Sequence, residues 1–310
     1  MTPDEINEKT SSGVVLILNY FYYSVDFPNG DIFYFTGIDD NGGVEGFTFD
    51  ENEAWDQCSG CTGTGFFISE DGQILTNRHI VHPEVSNEVV TAIKKDYKKL
   101  LKAVYSEKID KLRRAYYEYE DNESTQVAIK EKMDLYINEL NKVDDMDASE
   151  GEFKVHPYIS IAYNGSHVIK EKDFNPCSVV AVSEDQDVDL AIIQLDSCKT
   201  PENTYIFKLR ESDEPLSFDQ KLCMIGFNKG FSVSKTAQGI RSQCYTGNVT
   251  QKDDGERILY SIPSQPGSSG SPVVDEYGNL VAVHFAGLSG TQSFNYGIPS
   301  KRIREFLNEN

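Results

Sequence analysis

Short runs rich in Val, Ile, Tyr and Phe alternate along the chain with turn-forming residues, a pattern that predicts many β-strands. Residues 13–27 and 31–37 are two such runs, and the segment Pro28-Asn29-Gly30-Asp31 between them carries Asn-Gly, a strong hairpin-turn signal. Residues 63–69 and 73–76 form a second, shorter pair. Further strands are predicted at 158–163, 178–182, 190–195, 221–227, 238–250, 258–262, 273–274, 280–285 and 294–298.

A long segment in the middle of the chain has a different composition. From about Pro83 to Asp147 there is no further Gly or Pro, and Lys, Glu, Leu, Tyr and Ala dominate, which is typical of helices. Its apolar residues recur at spacings of three and four, in two runs separated at residues 120–124. We therefore predict an antiparallel helical hairpin inserted into a β protein, and a terminal helix over 300–308.

Composition and charge narrow the classes of function. The 310 residues are 39% hydrophobic and 25% charged, an ordinary balance for a globular protein. The formal net charge of -21 disfavours nucleic-acid partners and anionic membranes. The longest apolar run, residues 14–23, is too short to span a bilayer and lacks the flanks of an export signal. A native start at Met1 would therefore place the chain in the cytoplasm.

The six cysteines leave the redox compartment open. Cys177 and Cys198 lie at the outer ends of one predicted hairpin, where either a disulfide or buried free thiols would fit. Cys58 and Cys61 form a single CxxC without a second pair at zinc-ribbon spacing, which favours a loop disulfide or inert thiols. We expect neither a metal nor another cofactor.

The segment from Pro266 to Pro272, with sequence PGSSGSP, is a candidate nucleophile turn. A serine between glycines on a tight turn exposes its hydroxyl, while the flanking backbone N–H groups converge on one point. The α/β-hydrolase pattern G-x-S-x-G does not fit, because Ser271 occupies the last glycine position. Ser269 is therefore a candidate nucleophile for acyl transfer.

A serine nucleophile needs a histidine base and a carboxylate that orients the histidine. His79 directly follows the predicted strand 73–76, and Asp189 directly precedes the strand that begins at Leu190. An isolated histidine is more often structural, but a downstream serine turn favours a catalytic role. Asp185, in the same acidic turn, is the main rival of Asp189.

Three blocks together resemble the bacterial trypsin-like serine peptidases, including HtrA-like and glutamyl endopeptidases. These are GTGFFIS with ILTNRH up to His79, DVDLAII around Asp189, and GSSGSP around Ser269. The resemblance implies a mostly β, chymotrypsin-like double β-barrel with the catalytic triad His79, Asp189 and Ser269. It also implies an oxyanion hole formed by the N–H groups of Gly267 and Ser269.

On this resemblance, residues 1–310 form a single trypsin-like peptidase domain. The N-terminal barrel is expected at about 12–82 plus 153–198, the helical hairpin insertion at about 84–148, the C-terminal barrel at about 215–300 and the terminal helix at 300–308. HtrA-like enzymes usually carry a PDZ domain after the protease, and we expect none here because the sequence ends soon after Phe306. The insertion is a second departure from the family.

The resemblance also implies a specificity pocket. In the family, the strand that matches residues 280–287 lines the substrate groove, which makes His284, Phe285, Ala286 and Gly287 substrate-binding candidates. A histidine at this place contacts the substrate in glutamyl endopeptidases and in viral proteases that cut after Gln, and Ser264 resembles their hydroxyl partner. We predict cleavage after Glu or Gln, with a structural role for His284 as the alternative. Pro263, at the position of the deep carboxylate of basic-residue pockets, argues against cleavage after Lys or Arg.

The predicted function is a serine endopeptidase that acts on protein or peptide substrates through an acyl-enzyme. One alternative is a pseudoprotease scaffold whose helical hairpin binds a regulatory protein partner. The other is a dormant protease, in which the hairpin or the loop Asp144–Asp147 covers the cleft until a partner binds. An intact triad argues against the scaffold. Labelling of Ser269 by a fluorophosphonate distinguishes these interpretations. An active enzyme would react as the isolated chain, whereas a dormant enzyme would react only with its partner present.

Overall fold

The computed structural model describes residues 1–27, 30–39, 43–120, 122–145, 151–168, 170, 173–212, 214–251, 254–287 and 295–310. These residues form two compact units. Unit 1 comprises Met1–Tyr20, Gly60–Pro83 and Pro157–Asn310, and unit 2 comprises Phe21–Ser59 and Glu84–His156.

Short strands dominate the chain, as its alternating apolar pattern predicts. The strands are β1 (Val14–Asp26), β2 (Ile32–Phe35), β3 (Gly37–Ile38), β4 (Val44–Glu45), β5 (Ser59–Phe67), β6 (Gln73–Thr76), β7 (Glu152–Tyr163), β8 (Asn175–Val182), β9 (Ala191–Leu195), β10 (Lys221–Gly226), β11 (Lys235–Thr236), β12 (Gly239–Ile240), β13 (Gln243–Asn248), β14 (Ile258–Tyr260), β15 (Pro272–Val274), β16 (Leu280–Gly287) and β17 (Asn295–Pro299). The helices are α1 (Pro3–Thr10), α2 (Glu51–Asp56), α3 (Arg78–Val81), α4 (Asn87–Glu118), α5 (Glu123–Lys142), α6 (Phe231–Ser234) and α7 (Ser300–Glu309), with 3₁₀ turns at Ser11–Gly13 and Val143–Asp145.

The first sheet has the order β2-β1-β5-β6-β9-β8-β7, and a further pairing of β7 with β1 closes six of these strands into a barrel. Within it β6 and β9 are antiparallel, with Thr76 opposite Ala191. The residues just after β6 therefore lie beside those just before β9. This register brings the segments that carry His79 and Asp189 together.

The second sheet has the order β13-β10-β15-β16-β17-β14 and forms a half-barrel. An isolated bridge between Val249 and Tyr260 joins the ends of the sheet. The candidate nucleophile turn leads directly into β15, at the centre of this sheet. The remaining strand pairs are the short ladders β3–β4 and β11–β12.

One apolar core in unit 1 joins the two sheets. Phe66 of β5 and Leu75 of β6 pack in the same cluster as Ile225 of β10 and Val274 of β15. The terminal helix contributes Ile303 and Phe306 to this cluster, so the apolar stripe of α7 is buried as predicted. The predicted fold class is confirmed: a mostly β, chymotrypsin-like double barrel with an inserted helical hairpin and a C-terminal helix.

In unit 2 the helical hairpin packs against aromatic residues of segment 21–59. The Tyr97 ring of α4 stacks on Phe27, with 3.7 Å between ring centroids, and Tyr105 stacks on Phe49 at 5.7 Å. The sequence predicts the hairpin itself, but not this packing. The residues of α4 that it buries are Ile93, Tyr97, Leu101, Tyr105 and Ile109.

Replacing Tyr97 by alanine is expected to destabilise unit 2. Tyr97 is fully buried, so the change leaves a cavity where its ring stacks on Phe27. Loss of a buried aromatic ring costs about 3–5 kcal/mol. Chemical denaturation followed by circular dichroism measures this loss, with Tyr117→Ala as control because Tyr117 is 68% exposed. Equal stability of the two variants would contradict the packing of α4.

Neither of the two cysteine pairs singled out in the sequence forms a disulfide. All six cysteines are free; Cys177 is buried and Cys198 is exposed. Within the described ranges, no group of three or more His, Cys, Asp and Glu side chains could hold a metal ion. Nor is any helix in that part of the chain both long and apolar enough to cross a membrane. The predicted Asp144–Asp147 loop over the cleft lies partly outside the described residues, since 146 and 147 are not among them.

Candidate active site

His79 lies in the short helix α3, whose N-cap residue Asn77 directly follows β6. The imidazole Nδ1 is 2.6 Å from Oδ2 of Asp189, and the backbone N–H of His79 donates to Oδ1 of the same carboxylate at 2.9 Å. The Asp189 side chain is 18% exposed and the His79 side chain 46% exposed. The carboxylate therefore orients the ring from a sheltered position, while the rest of the imidazole faces solvent.

Two neighbours of His79 hold the segment that carries Asp189. The side-chain amide of Asn77 donates to the carbonyl of Asp189 at 2.8 Å. The guanidinium of Arg78 donates to the carbonyls of Ser183 and Asp185, both at 3.2 Å. The Asp185 carboxylate accepts from the N–H of Asp187 at 2.9 Å, and no contact with His79 is described for it. Of the two candidate carboxylates, Asp189 is therefore the one that contacts His79.

Ser269 lies in a turn whose shape depends on glycine. Gly267 has a φ of +96°, and a Cβ there would lie 2.5 Å from the carbonyl oxygen of Phe227, so no side chain fits. The neighbouring Ser268 is fully buried and donates to the carbonyl of Gln265 at 2.6 Å. Ser269 itself is partly exposed. The turn therefore buries one serine and presents the other.

Thr64 of β5 connects this turn to the first barrel. Its backbone N–H donates to the carbonyl of Ser269 at 2.8 Å, and its hydroxyl donates to the carbonyl of Gly267 at 2.9 Å. The same hydroxyl accepts from the N–H of Phe227 at 3.0 Å, and the Thr64 carbonyl accepts from the hydroxyl of Thr76 at 2.8 Å. Every polar group of Thr64 is thus engaged. Because Thr76 ends the strand that leads to His79, Thr64 links both halves of the site.

Replacing Thr64 by valine is expected to destabilise the fold by about 1–3 kcal/mol, the cost of leaving buried polar groups without partners. Valine matches the shape of threonine but neither accepts from the N–H of Phe227 nor donates to the carbonyl of Gly267. Urea denaturation of this variant and of Thr64→Ser measures the effect. Serine keeps the hydroxyl and should retain more stability, so a valine variant as stable as the serine variant would contradict this role.

The backbone N–H groups of Gly267 and Ser269 are the predicted donors of the oxyanion hole. Neither has a hydrogen-bond acceptor among the residues that the structure describes. In the same part of the chain, no hydrogen bond joins the Ser269 hydroxyl to the His79 ring. Contacts of this kind are often long in ligand-free sites and shorten on binding.

His284 on β16 is buried, with 3% of its surface exposed. Its Nδ1 lies 2.8 Å from the hydroxyl of Tyr260, a residue that is itself fully buried. Burial, with a smaller contribution from the nearby His79, lowers the pKa of His284 to about 4. The imidazole is therefore neutral at neutral pH.

The other substrate-binding candidates lie on β16 or in the loop that follows β14. The Ser264 hydroxyl donates to Oδ1 of Asn295 at 2.7 Å. The ring of Phe285 lies below the guanidinium of Arg257, 5.8 Å from the ring centroid. Ala286 and Gly287 belong to β16, opposite Tyr296 and Asn295 of β17.

Sequence reasoning missed three residues of this site. Asn77 stands within the block that ends at His79. Its position directly after a predicted strand could have indicated a side chain that binds neighbouring backbone groups. Thr64 and Tyr260 offer no such signal, because their partners are distant in sequence: Gly267 and Ser269 for Thr64, and His284 for Tyr260. Only the closed packing of the two sheets brings them together.

Comparison with known proteins finds a similarity to peptidases in part of the sequence and in the fold. Residues 148–283, less than half of the chain, match a family model described as a trypsin-like peptidase domain; the range includes Asp189 and Ser269 but not His79. No curated protein matches the chain. The crystal structure of the serine endoprotease from Yersinia pestis is similar in fold, with a TM-score of 0.50 and 10% sequence identity over 100% of this chain and 66% of that one. Part of the chain is thus similar in sequence to trypsin-like peptidase domains, and the chain is similar in fold to a bacterial serine endoprotease.

Proposed function

We propose that this chain, with its trypsin-like peptidase domain, is a serine endopeptidase in which Ser269 is the nucleophile and His79 the general base. The observation that carries the proposal is the double hydrogen bond from His79 to the Asp189 carboxylate, through ring and backbone. Hydrolysis of a denatured protein such as casein, abolished by a fluorophosphonate, tests it. An absence of hydrolysis by the folded chain, with no reaction with the fluorophosphonate, would contradict it.

The contact with Asp189 determines which nitrogen of His79 carries the proton. An ionised carboxylate only accepts hydrogen bonds, so Nδ1 of His79 is the donor in the 2.6 Å contact. The neutral ring then has a lone pair on Nε2, the atom that takes the hydroxyl proton in a serine triad. Asp189 also stabilises the imidazolium that forms during the reaction.

The N–H groups of Gly267 and Ser269 are proposed as the oxyanion hole. Support comes from the positive φ of Gly267 and from the lack of a described acceptor for either group. Donors held in place before the reaction stabilise developing negative charge at no cost of reorganisation, and one such donor contributes about 10²–10³ in kcat. The bonds from Thr64 to the carbonyls of Gly267 and Ser269 keep this turn in shape.

The proposed reaction has two stages. The Ser269 oxygen attacks the substrate carbonyl carbon while its proton moves to Nε2 of His79, and the carbonyl oxygen becomes an oxyanion. The C–N bond then breaks, His79 returns the proton to the leaving amine, and an ester to Ser269 remains. Water attacks this ester by the same route, which releases the acid and restores Ser269.

His284 and Ser264 are proposed to contact the residue that precedes the scissile bond. A neutral imidazole carries one N–H donor and one acceptor, and an amide side chain offers both an acceptor and donors. Gln therefore satisfies His284 in either tautomer. A Glu carboxylate accepts only, and its charge would be buried beside a ring that is neutral because the pKa of His284 is lowered to about 4.

We expect Gln peptides to be cleaved roughly 10²-fold faster than matched Glu peptides at pH 7, since an uncompensated buried charge costs about 3 kcal/mol. Comparison of kcat/KM for the two peptides between pH 5.5 and 8 measures this. The ratio should stay nearly constant above pH 7, because the imidazole takes up a proton only as the pH falls towards 4, and it should narrow below pH 7 only as the Glu side chain of the peptide itself becomes protonated. His284→Ala should remove the preference. A Glu preference that weakens between pH 6 and 7 would mean that His284 titrates normally.

A further inference from the structure

An apolar cavity of about 260 Å³ opens beside the candidate active site, within unit 1. Alternate residues of β1 point to the same face of the strand and form one wall. Several of its lining side chains are only partly buried, so the cavity is accessible from solvent. The walls are formed by Leu16, Leu18 and Tyr20 of β1, Thr62 of β5, Phe174, and Phe231 of α6.

The cavity is in contact with the turn that carries Gly267. A Cβ added to Gly267 would lie 2.6 Å from the N atom of Gly230, and a Cβ added to Gly230 would lie 2.1 Å from Oγ1 of Thr62. Gly230 therefore lies between the turn and Thr62 of the cavity lining. Phe231, another lining residue, directly follows Gly230. A peptide bound with its carbonyl oxygen at the Gly267 N–H would therefore lie close to this lining.

The position of His284 indicates which half of a substrate reaches the cavity. The residue before the scissile bond is proposed to lie against His284 on β16. None of the cavity walls comes from β14, β16 or β17. The two halves of an extended peptide leave the scissile carbonyl in opposite directions, so the cavity faces the half that follows the scissile bond.

We propose that this cavity is a subsite for a large apolar side chain, such as Leu or Phe, at one of the first two positions after the scissile bond. The inference rests on the proposed function, because it assumes that peptides are cleaved at Ser269. The lining of the cavity supports a large apolar side chain as the occupant. Aliphatic and aromatic side chains dominate it, and the ring centroids of Phe174 and Phe231 lie 6.2 Å apart. The charged Lys170 lines the cavity but is exposed, which leaves its ammonium group in water.

Matched peptides with Gln before the bond, and Gly, Leu or Phe at each of the next two positions, test the subsite with the full chain. At one of these positions, Leu and Phe should raise kcat/KM over Gly by roughly 10-fold or more. The variants Phe231→Ala and Leu18→Ala should each lower this ratio, while Tyr277→Ala, at an exposed site outside the cavity, should preserve it. Each rate is normalised to that of a coumarin amide, which has no residue after the scissile bond.

The outcomes separate the subsite from the activity. Cleavage with a Leu-to-Gly ratio near one at both positions, or a ratio that neither cavity variant changes, would overturn the subsite and leave the protease intact. No hydrolysis of any peptide or of the amide, together with no reaction with a fluorophosphonate, would overturn the proposed function and the subsite with it. If one cavity variant fails to fold, the other still gives the ratio.

Discussion

Replacing Asp189 by asparagine is expected to lower kcat by about 10⁴-fold while leaving the fold intact. Asparagine has nearly the shape of aspartate, but its amide can donate a hydrogen bond towards Nδ1. That bond favours the tautomer whose proton sits on Nε2, where the ring can no longer take the proton of Ser269. The turnover of a peptide substrate, with circular dichroism to verify folding, measures the effect.

Asp185→Asn is the matched control, because Asp185 belongs to the same acidic turn and its carboxylate accepts from the N–H of Asp187. This variant should keep near-normal turnover. If Asp185→Asn were the damaging change and Asp189→Asn the mild one, the assignment of the carboxylate would be wrong.

Replacing Ser269 by alanine is expected to lower kcat by about 10⁶-fold, since no acyl-enzyme can form without the hydroxyl. The change is small and lies at a partly exposed position, so stability should be unaffected. Ser217→Ala, at an exposed position outside the site, controls for the loss of a serine hydroxyl. A Ser269→Ala protein that kept a tenth of the activity would place the nucleophile elsewhere.

The part of the first barrel that carries His79 and Asp189 was predictable, because both residues lie next to strands that the apolar pattern identifies. The apolar strand before His79 and the apolar strand after Asp189 pair directly, with Thr76 opposite Ala191. Adjacency to a core strand distinguished Asp189 from Asp185, and the structure brings Asp189 to His79. The glycine pattern likewise indicated a tight turn at Gly267, which has a positive φ.

Contacts between distant segments were not predictable. Nothing near Thr64 indicates that its hydroxyl would meet the carbonyl of Gly267, because that bond depends on how two barrels pack. The neutral state of His284 likewise depends on burial beside Tyr260, so sequence reasoning left the choice between Glu and Gln open.

The second unit shows the same limit. The spacing of apolar residues predicted the helical hairpin but not the residues that it packs against. In the structure Tyr97 of this hairpin stacks on Phe27, a residue of the N-terminal hairpin. In unit 1, helix α1 carried a local signal that was not used in the prediction, since Thr2 and Glu5 form a capping box at its start.

The identity of the nucleophile is the central claim, and peptide mapping after treatment with a fluorophosphonate tests it most directly. The intact chain, without any partner, should gain one adduct, located on Ser269 by fragment mass spectrometry. The exposed Ser217 should stay unmodified, and His79→Ala should suppress the reaction because the hydroxyl loses its base. An adduct on another residue would contradict the assignment of Ser269 as the nucleophile. So would labelling of the His79→Ala variant at the same rate as the protein without this substitution.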